Sequence, residues 1–474
     1  MPFDIPALRL GKAYTSLETT EVKDCRTGEV LARVSQVNSG IIRKDLAKIG
    51  ESRRALKQVP SEKLIDICRV AGELFLNSTL PLGEGQSQTP RQYVETLSAT
   101  SGLPFALVRR NMDKIAQVLG NMRRVLRGLT RSLDLSILDR GIGEHAGVRI
   151  SFYPAAECLG VVMPSNSPGV NSLWLPAIAL KIPVLLKPGR EEPWSPFRLI
   201  QALMAAGCPA EALGFYPTDH EGAAELLRGC GRALVFGDQS TTAPYAGNPA
   251  IQVHGPGYSK ILIAEDQIER WPDHIELIAS SIADNGGRSC INASAVVVPK
   301  YAAEIATALA QRLGPVAPQP AADDRAMLSA FANPKMADAI DAMITEGLTA
   351  PGATEMTAIY RKGARKVAFE GATYLRPTIV LCESFQHPLA NREFLFPYAS
   401  VVEVPQTDML GQIGHSLVVT AITRDMAFRQ SLLESPLIER LNLGAIPTMQ
   451  VSWDQPHEGN LFDFLYRRRA VEIK

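Results

Sequence analysis

Gly160-Val-Val-Met-Pro-Ser-Asn-Ser-Pro-Gly169 is the stretch whose reading decides the fold. Its apolar, β-branched start has the composition of a buried strand, and Pro164 and Pro168 then bar both a helix interior and a continuing central strand. A helical stretch, Leu175-Pro-Ala-Ile-Ala-Leu180, follows, and a second apolar run, Val184-Leu-Leu-Lys187, stops at Pro188. Strand, turn, helix and strand in that order form a parallel crossover, the repeating unit of an α/β sheet. Ligands bind such sheets at the carboxyl ends of the strands, so the turn around Asn166 is the first place to look for a site.

Outward from this unit the same grammar continues. Apolar runs at 233–236 and 261–263 alternate with helical stretches at 196–206 and 222–229. The N-terminal third differs: 44–69 and 103–127 carry the apolar spacing and charged faces of amphipathic helices, expected to pack as an outer helical layer. The segment 313–324, with three prolines and three alanines, reads as a surface excursion.

A chain of 474 residues with 46% hydrophobic and 21% charged residues is globular and exceeds one ordinary core. Lysine plus arginine equals aspartate plus glutamate at 49 each, which excludes the broad positive field of a nucleic-acid binder. The start, MPFDIPALRL, lacks the pattern of a secretory signal, so a cytoplasmic location is expected. The charge-free stretch 158–180 is interrupted by Pro164, Asn166, Pro168 and Pro176, and no integral membrane segment is expected. Seven scattered cysteines without a CxxC pair suggest reduced thiols and no metal site.

One of those cysteines stands apart. In Asp284-Asn-Gly-Gly-Arg-Ser-Cys290 the glycines let the backbone fold closely around a sulfur and bring its own N–H groups toward a developing oxyanion. A thiolate is a good nucleophile toward a carbonyl or thioester, and Arg288 is a nearby cation that could lower its pKa or point to solvent. Cys68, Cys158, Cys208, Cys230 and Cys382 have no such setting and read as small buried hydrophobes.

Taken together, these motifs resemble the aldehyde dehydrogenase superfamily. Its strand–PxNxP turn, the following helix and the Lys-Pro strand end match Pro164-Ser-Asn166-Ser-Pro168 through Lys187-Pro188 in order and spacing, and its Asn-x-Gly-Gln-x-Cys loop matches the segment ending at Cys290. The opening Asp-Asn-Gly and the turn Gly247-Asn-Pro-Ala-Ile-Gln-Val-His254-Gly255-Pro-Gly257 are closest to the CoA-acylating branch, the acyl-CoA reductases included. The resemblance implies Cys290 as nucleophile and Asn166 as oxyanion donor, with a turn-shaping role as the alternative for Asn166. It implies dinucleotide contacts from Lys187, Pro164, Gly237, Gly255 and Glu393. Gly237 keeps a glycine near the family's pyrophosphate turn, and Glu393 of Glu393-Phe-Leu-Phe-Pro397 would hold the nicotinamide ribose.

Two departures carry information. Where many relatives have Lys-Pro-Ser-Glu this chain has Lys187-Pro-Gly-Arg190, and a guanidinium in place of the ribose-gripping carboxylate favours NADP(H), with NAD(H) possible because Glu191 is adjacent. Where the hydrolytic branch has a water-activating glutamate, the matched residue is His254.

The resemblance therefore implies an α/β fold with a Rossmann-like dinucleotide-binding domain (1–131 and 151–255), a second α/β catalytic domain (256–440), an oligomerisation hairpin and C-terminal strand (132–150 and 462–474) and a return to the cofactor domain (441–461). The expected function is NAD(P)-dependent interconversion of an acyl thioester and an aldehyde through a Cys290 acyl-enzyme, in the reductive direction, with CoA as co-substrate. A hydrolytic dehydrogenase with another base, acyl-phosphate reduction and a catalytically inactive scaffold are the rivals. Small-molecule aldehydes or acyl thioesters are the expected partners, and a homodimer or homotetramer the expected assembly.

Overall fold

The computed structural model describes residues 2–474. Its first large sheet holds five parallel strands in the spatial order Ile251–His254, Gly231–Phe236, Cys158–Val162, Val184–Lys187 and Leu213–Phe215, with an antiparallel hairpin, Ala7–Arg9 and Lys12–Tyr14, on the far edge. The chain enters at Cys158–Val162, steps outward through two strands, then returns to the other side at Gly231–Phe236. That reversal leaves a crevice between Cys158–Val162 and Gly231–Phe236, bordered by Pro164 and Gly237.

The second sheet has six parallel strands, in the order Thr378–Cys382, Tyr398–Glu403, Ala295–Val298, Lys260–Ile263, Ser416–Ile422 and Ile438–Leu443, edged by the antiparallel Ala353–Glu355. Every residue of Lys260–Ile263 and Ala295–Val298 is buried, as expected for strands covered on both faces.

The amphipathic segments at the N-terminus are broken where their backbone requires it. The stretch 44–69 falls into Ser39–Leu46, Ile49–Gln58 and Ser61–Asn77, the last opened by Pro60 in an extended conformation, and 103–127 divides at Asn121 into Phe105–Gly120 and Met122–Leu129. Nor is this layer wholly outer. Leu64, Cys68, Ala71 and Phe75 are fully buried in one core with Trp174, Ile178, Trp194 and Leu199, so Ser61–Asn77 is sandwiched against the first sheet's own helices.

A third, antiparallel sheet joins Ile142–His145, Val148–Pro154 and Tyr466–Arg469. The hairpin thus runs beyond residue 150, and the C-terminal strand occupies Tyr466–Arg469 within the expected 462–474. Tyr466 fixes the register: its hydroxyl donates to the Leu180 carbonyl at 2.7 Å and its ring stacks on Phe462. Residues 470–474 have no neighbouring strand in the chain to pair with, and an unpaired strand does not form. No helix among the described residues is long and apolar enough to cross a membrane.

Arg198, in the helix Trp194–Ala205, ties the first sheet to the N-terminal layer. Its buried guanidinium donates to the carbonyls of Phe75, Gln88 and Ser78 at 3.0, 2.9 and 2.6 Å and packs against the rings of Phe75 and Tyr93. Burial pushes its pKa down to about 10, so it remains a cation at neutral pH. Arg198→Met preserves the stem and strands three carbonyls, and should cost about 3 kcal/mol or more. A clear downward shift of the urea midpoint tests this; an unchanged midpoint would show that water satisfies those carbonyls.

Candidate active site

A cavity of about 490 Å³ runs from the crevice of the cofactor sheet to Cys290. Pro164, Asn166, Glu191, Phe236, Gly237 and Asp238 line its cofactor side, and His254, Gly255, Cys290, Glu393, His457 and Glu458 line the other. Sequence order hides this meeting, because the lining comes from the ends of the first sheet's strands, from the loops before and beyond the strands of the second, and from the 451–461 segment.

The loop carrying Cys290 is fixed by polar contacts across the domain boundary. Asn285, in a left-handed conformation at φ +54°, accepts from Asn111 Nδ2 at 2.7 Å and donates to Ser289 Oγ at 2.9 Å and Ser167 Oγ at 3.2 Å. Asn166 Nδ2 donates to the Arg288 carbonyl at 2.9 Å, while its buried Oδ1 has no partner. One amide hydrogen of Asn166 therefore braces the loop, and the second has no acceptor among the described residues. Gly287 has φ +68°, and a Cβ there would meet Phe396 and Pro397 backbone atoms at 2.3 Å, so the loop also requires glycine to seat against the Glu393–Pro397 turn.

Cys290 is half-buried in the cavity wall. Burial pushes its thiol well above the ordinary range, the charges of Glu458 and Glu393 push it further, and Lys114 opposes them. Arg288 does not act on the sulfur. Its buried guanidinium is spent on the carbonyls of Ser101, at 2.7 Å, and Ala330, beneath the ring of Phe331. The cation beside Cys290 is Lys114 of the helix Phe105–Gly120, which the sequence does not distinguish from a solvated lysine.

His254 ends the strand Ile251–His254. Its ring stacks on Phe236 at 4.3 Å, its Nδ1 is hydrogen-bonded to the Glu458 carboxylate, and its Nε2 is buried without a partner. The carboxylate missing from position 254 is thus supplied from 204 residues away in the chain. The segment His457-Glu458-Gly459-Asn460 gave no recognisable motif, and only the fold brings it here.

The remaining site residues are less uniform. Glu393 lines the cavity, but its Oε2 accepts from the Tyr258 backbone N–H at 2.6 Å, which makes it also the anchor of the 255–258 turn. Burial pushes Glu393 up to about 7, while burial pushes the neighbouring Lys260 down to about 7. In that turn the geometry demands glycine at Gly257, where a Cβ would meet the Cys290 carbonyl at 2.1 Å; Gly255 has room for one. Lys187 is half-buried at the end of its strand, and Arg190 is exposed beyond it; both lie outside the cavity wall, whereas Glu191 is in it.

A family model for the aldehyde dehydrogenase family matches residues 14–413. The chain belongs to the aldehyde dehydrogenase family. Solved members of similar fold include an indole-3-acetaldehyde dehydrogenase with NAD+ (17% identity, TM-score 0.80, covering 100% of this chain and 97% of that one). An aldehyde dehydrogenase of Pseudomonas syringae holding NAD+ and octanal is also 17% identical, with TM-score 0.80 over 98% and 96% of the two chains. An E. coli NADP-dependent enzyme is 16% identical, with TM-score 0.78 over 99% and 98%. No curated protein matches the sequence.

In this aldehyde dehydrogenase the Cys290 thiol is protonated at neutral pH, with a titration that can be followed directly. Because its pKa is raised, the thiolate fraction at neutral pH falls below that of a free cysteine and climbs about tenfold per pH unit below the pKa. Iodoacetamide labelling of Cys290 should therefore be slower than that of glutathione at pH 7.5 and still rising at pH 9. Glu458→Gln removes an opposing charge and should speed labelling several-fold; slower labelling would mean that the carboxylate assists ionisation.

Proposed function

We propose that this chain oxidises an aldehyde through a Cys290 thioester, with a nicotinamide dinucleotide as hydride carrier and water as the group that releases the acid. The observation that carries the reading is the His254–Glu458 pair in the wall of the Cys290 cavity. Sequence alone favoured release by a thiol, because no glutamate stands at position 254. An imidazole at that position can itself serve as the base, and the Glu458 carboxylate on its Nδ1 supports that role.

The residues fit a dinucleotide in the crevice. The cavity is continuous from Gly237 to Cys290, and the Asp238 carboxylate, which would oppose a pyrophosphate, is engaged in capping through Thr241 N at 2.9 Å and Ser240 Oγ at 2.7 Å. Pro164, Gly237, Glu191 and Glu393 would hold it, with Lys187 supplying charge at the adenosine end. When bound, it supplies a hydride acceptor for oxidation and a donor for reduction.

The chain's own steps follow. Cys290 Sγ adds to the aldehyde carbon as its proton passes to a base, and the oxyanion is met by the free Asn166 amide hydrogen and the Cys290 backbone N–H. Once the carbon has reached the thioester level, His254 Nε2 takes a proton from water while Glu458 holds Nδ1–H and stabilises the imidazolium. Water oxygen bonds to the acyl carbon, the C–S bond breaks, and the sulfur leaves as thiolate.

A second reading keeps the same acyl-enzyme but releases it to CoA, in either direction. It is supported by the Asp284-Asn-Gly loop and by an imidazole at position 254 that can deprotonate a thiol as well as water. Aldehyde and oxidised cofactor, with and without CoA, separate the two by product mass. Free acid formed at full rate without CoA is expected; acyl-CoA formed only when CoA is present would replace the first reading by the second. His254→Ala should slow acid release by roughly a hundredfold or more while preserving a stoichiometric burst of reduced cofactor.

For the cofactor, we propose that Arg190 pairs with the 2′-phosphate of NADP(H), its exposed guanidinium having no hydrogen bond or ion pair among the described residues. Arg190→Glu should move the NADP(H)/NAD(H) affinity ratio toward NAD(H) by about tenfold or more. An unchanged ratio in binding titrations would assign the ribose to Glu191 instead.

A further inference from the structure

Lys114 and Arg440 have no role in the chemistry just described, and neither has an acceptor. Lys114 lies in the cavity wall with Cys290, and its ammonium forms no hydrogen bond or ion pair among the described residues. Arg440, on the strand Ile438–Leu443, has a buried Nη1 without a partner. The two cations are near enough to repel each other, and both bear on His457, another residue of the wall.

The carboxylates that could neutralise them are engaged elsewhere. Asp284, the one whose charge reaches Lys114, is in an ion pair with Arg110. Glu458 is held by His254, Glu393 accepts from the Tyr258 backbone, and Glu439 faces His415. His457 adds no charge: burial pushes it down to about 3, with Lys114 and Arg440 contributing, so it is a neutral hydrogen-bond donor at working pH. Burying cations without a counter-charge is costly, and the cost is recovered when an anion arrives.

We infer that Lys114, in the cavity wall with Cys290 and backed by the unpartnered Arg440 Nη1, forms an anion site, and that the preferred substrate is an aldehyde bearing an oxyanion, carboxylate or phosphate, on its chain. This rests on the reading of Cys290 as the reacting sulfur. An ammonium is a compact point charge that suits either oxyanion, whereas a guanidinium favours planar two-point contact.

The test compares two alkylating agents on the ligand-free protein, iodoacetate with a carboxylate and iodoacetamide without one. Both need the same Cys290 thiolate, so any effect of Lys114 on the thiol's ionisation cancels in their rate ratio. Lys114→Met should lower the iodoacetate/iodoacetamide ratio by about tenfold, and Lys114→Arg should restore most of it. An unchanged ratio, with both rates falling together, would reduce Lys114 to a thiolate stabiliser and overturn the anion site. Failure of both reagents to label Cys290 in the unaltered protein would instead overturn the nucleophile reading, and this inference with it.

Turnover identifies which oxyanion is preferred. Aldehydes of equal length ending in carboxylate, phosphate or a neutral amide should rank with one of the two anions at least about tenfold above the amide in kcat/KM, and Arg440→Met should narrow that gap. A neutral substrate preferred over both anions would overturn the proposal.

Discussion

The whole site depends on a small polar seam between domains. Asn111 from the N-terminal layer, Ser167 from the turn after the first cofactor strand, and Asn285 with Ser289 from the nucleophile loop hydrogen-bond to one another in a buried cluster. Buried polar groups left unsatisfied are costly, so the partners specify one mutual placement of three segments distant in the chain. The left-handed turn at Asn285 and the glycines after it follow from that placement, because only such a backbone delivers both the asparagine to the seam and the sulfur to the cavity.

The seam also sets the electrostatics. It holds Cys290 where protein replaces water, so the thiol resists ionisation, and every charge nearby acts through a medium that screens it weakly. The charges of Glu458 and Glu393 push the thiol up, and that of Lys114 opposes them. A thiol that stays protonated is guarded against oxidation and stray alkylation. The same burial that restrains the sulfur strengthens the Glu458 hold on His254, giving the imidazole a fixed ring orientation and one free nitrogen.

Glycine requirements show how closely the two halves approach. Gly257 touches the Cys290 carbonyl and Gly287 touches the Phe396–Pro397 peptide, so the cofactor-side turn, the nucleophile loop and the Glu393 turn share one layer of backbone. Neighbouring glycines such as Gly255 carry no such constraint, although the sequence presents all of them in the same pattern.

Local signals in the sequence determined the α/β class, the strand-turn-helix-strand unit around Asn166, and the singular setting of Cys290. Each is a matter of residues adjacent in the chain, where prolines, glycines and β-branched runs bias the backbone directly. Long-range meetings were not legible. Arg288, beside Cys290 in sequence, turns away to cap the carbonyls of Ser101 and Ala330, while Lys114 reaches the sulfur from a helix that precedes it by more than a hundred residues. Within 462–474 the strand is confined to Tyr466–Arg469, where the chain pairs with Val148–Pro154 and Tyr466 is anchored by Leu180 and Phe462. Glu458 became the companion of His254 only because the chain after the strand Ile438–Leu443 returns to the cavity wall. Sequence specifies which groups can do chemistry; which of them share a solvent-poor cavity is decided by packing, because a charge acts through space and not along the chain.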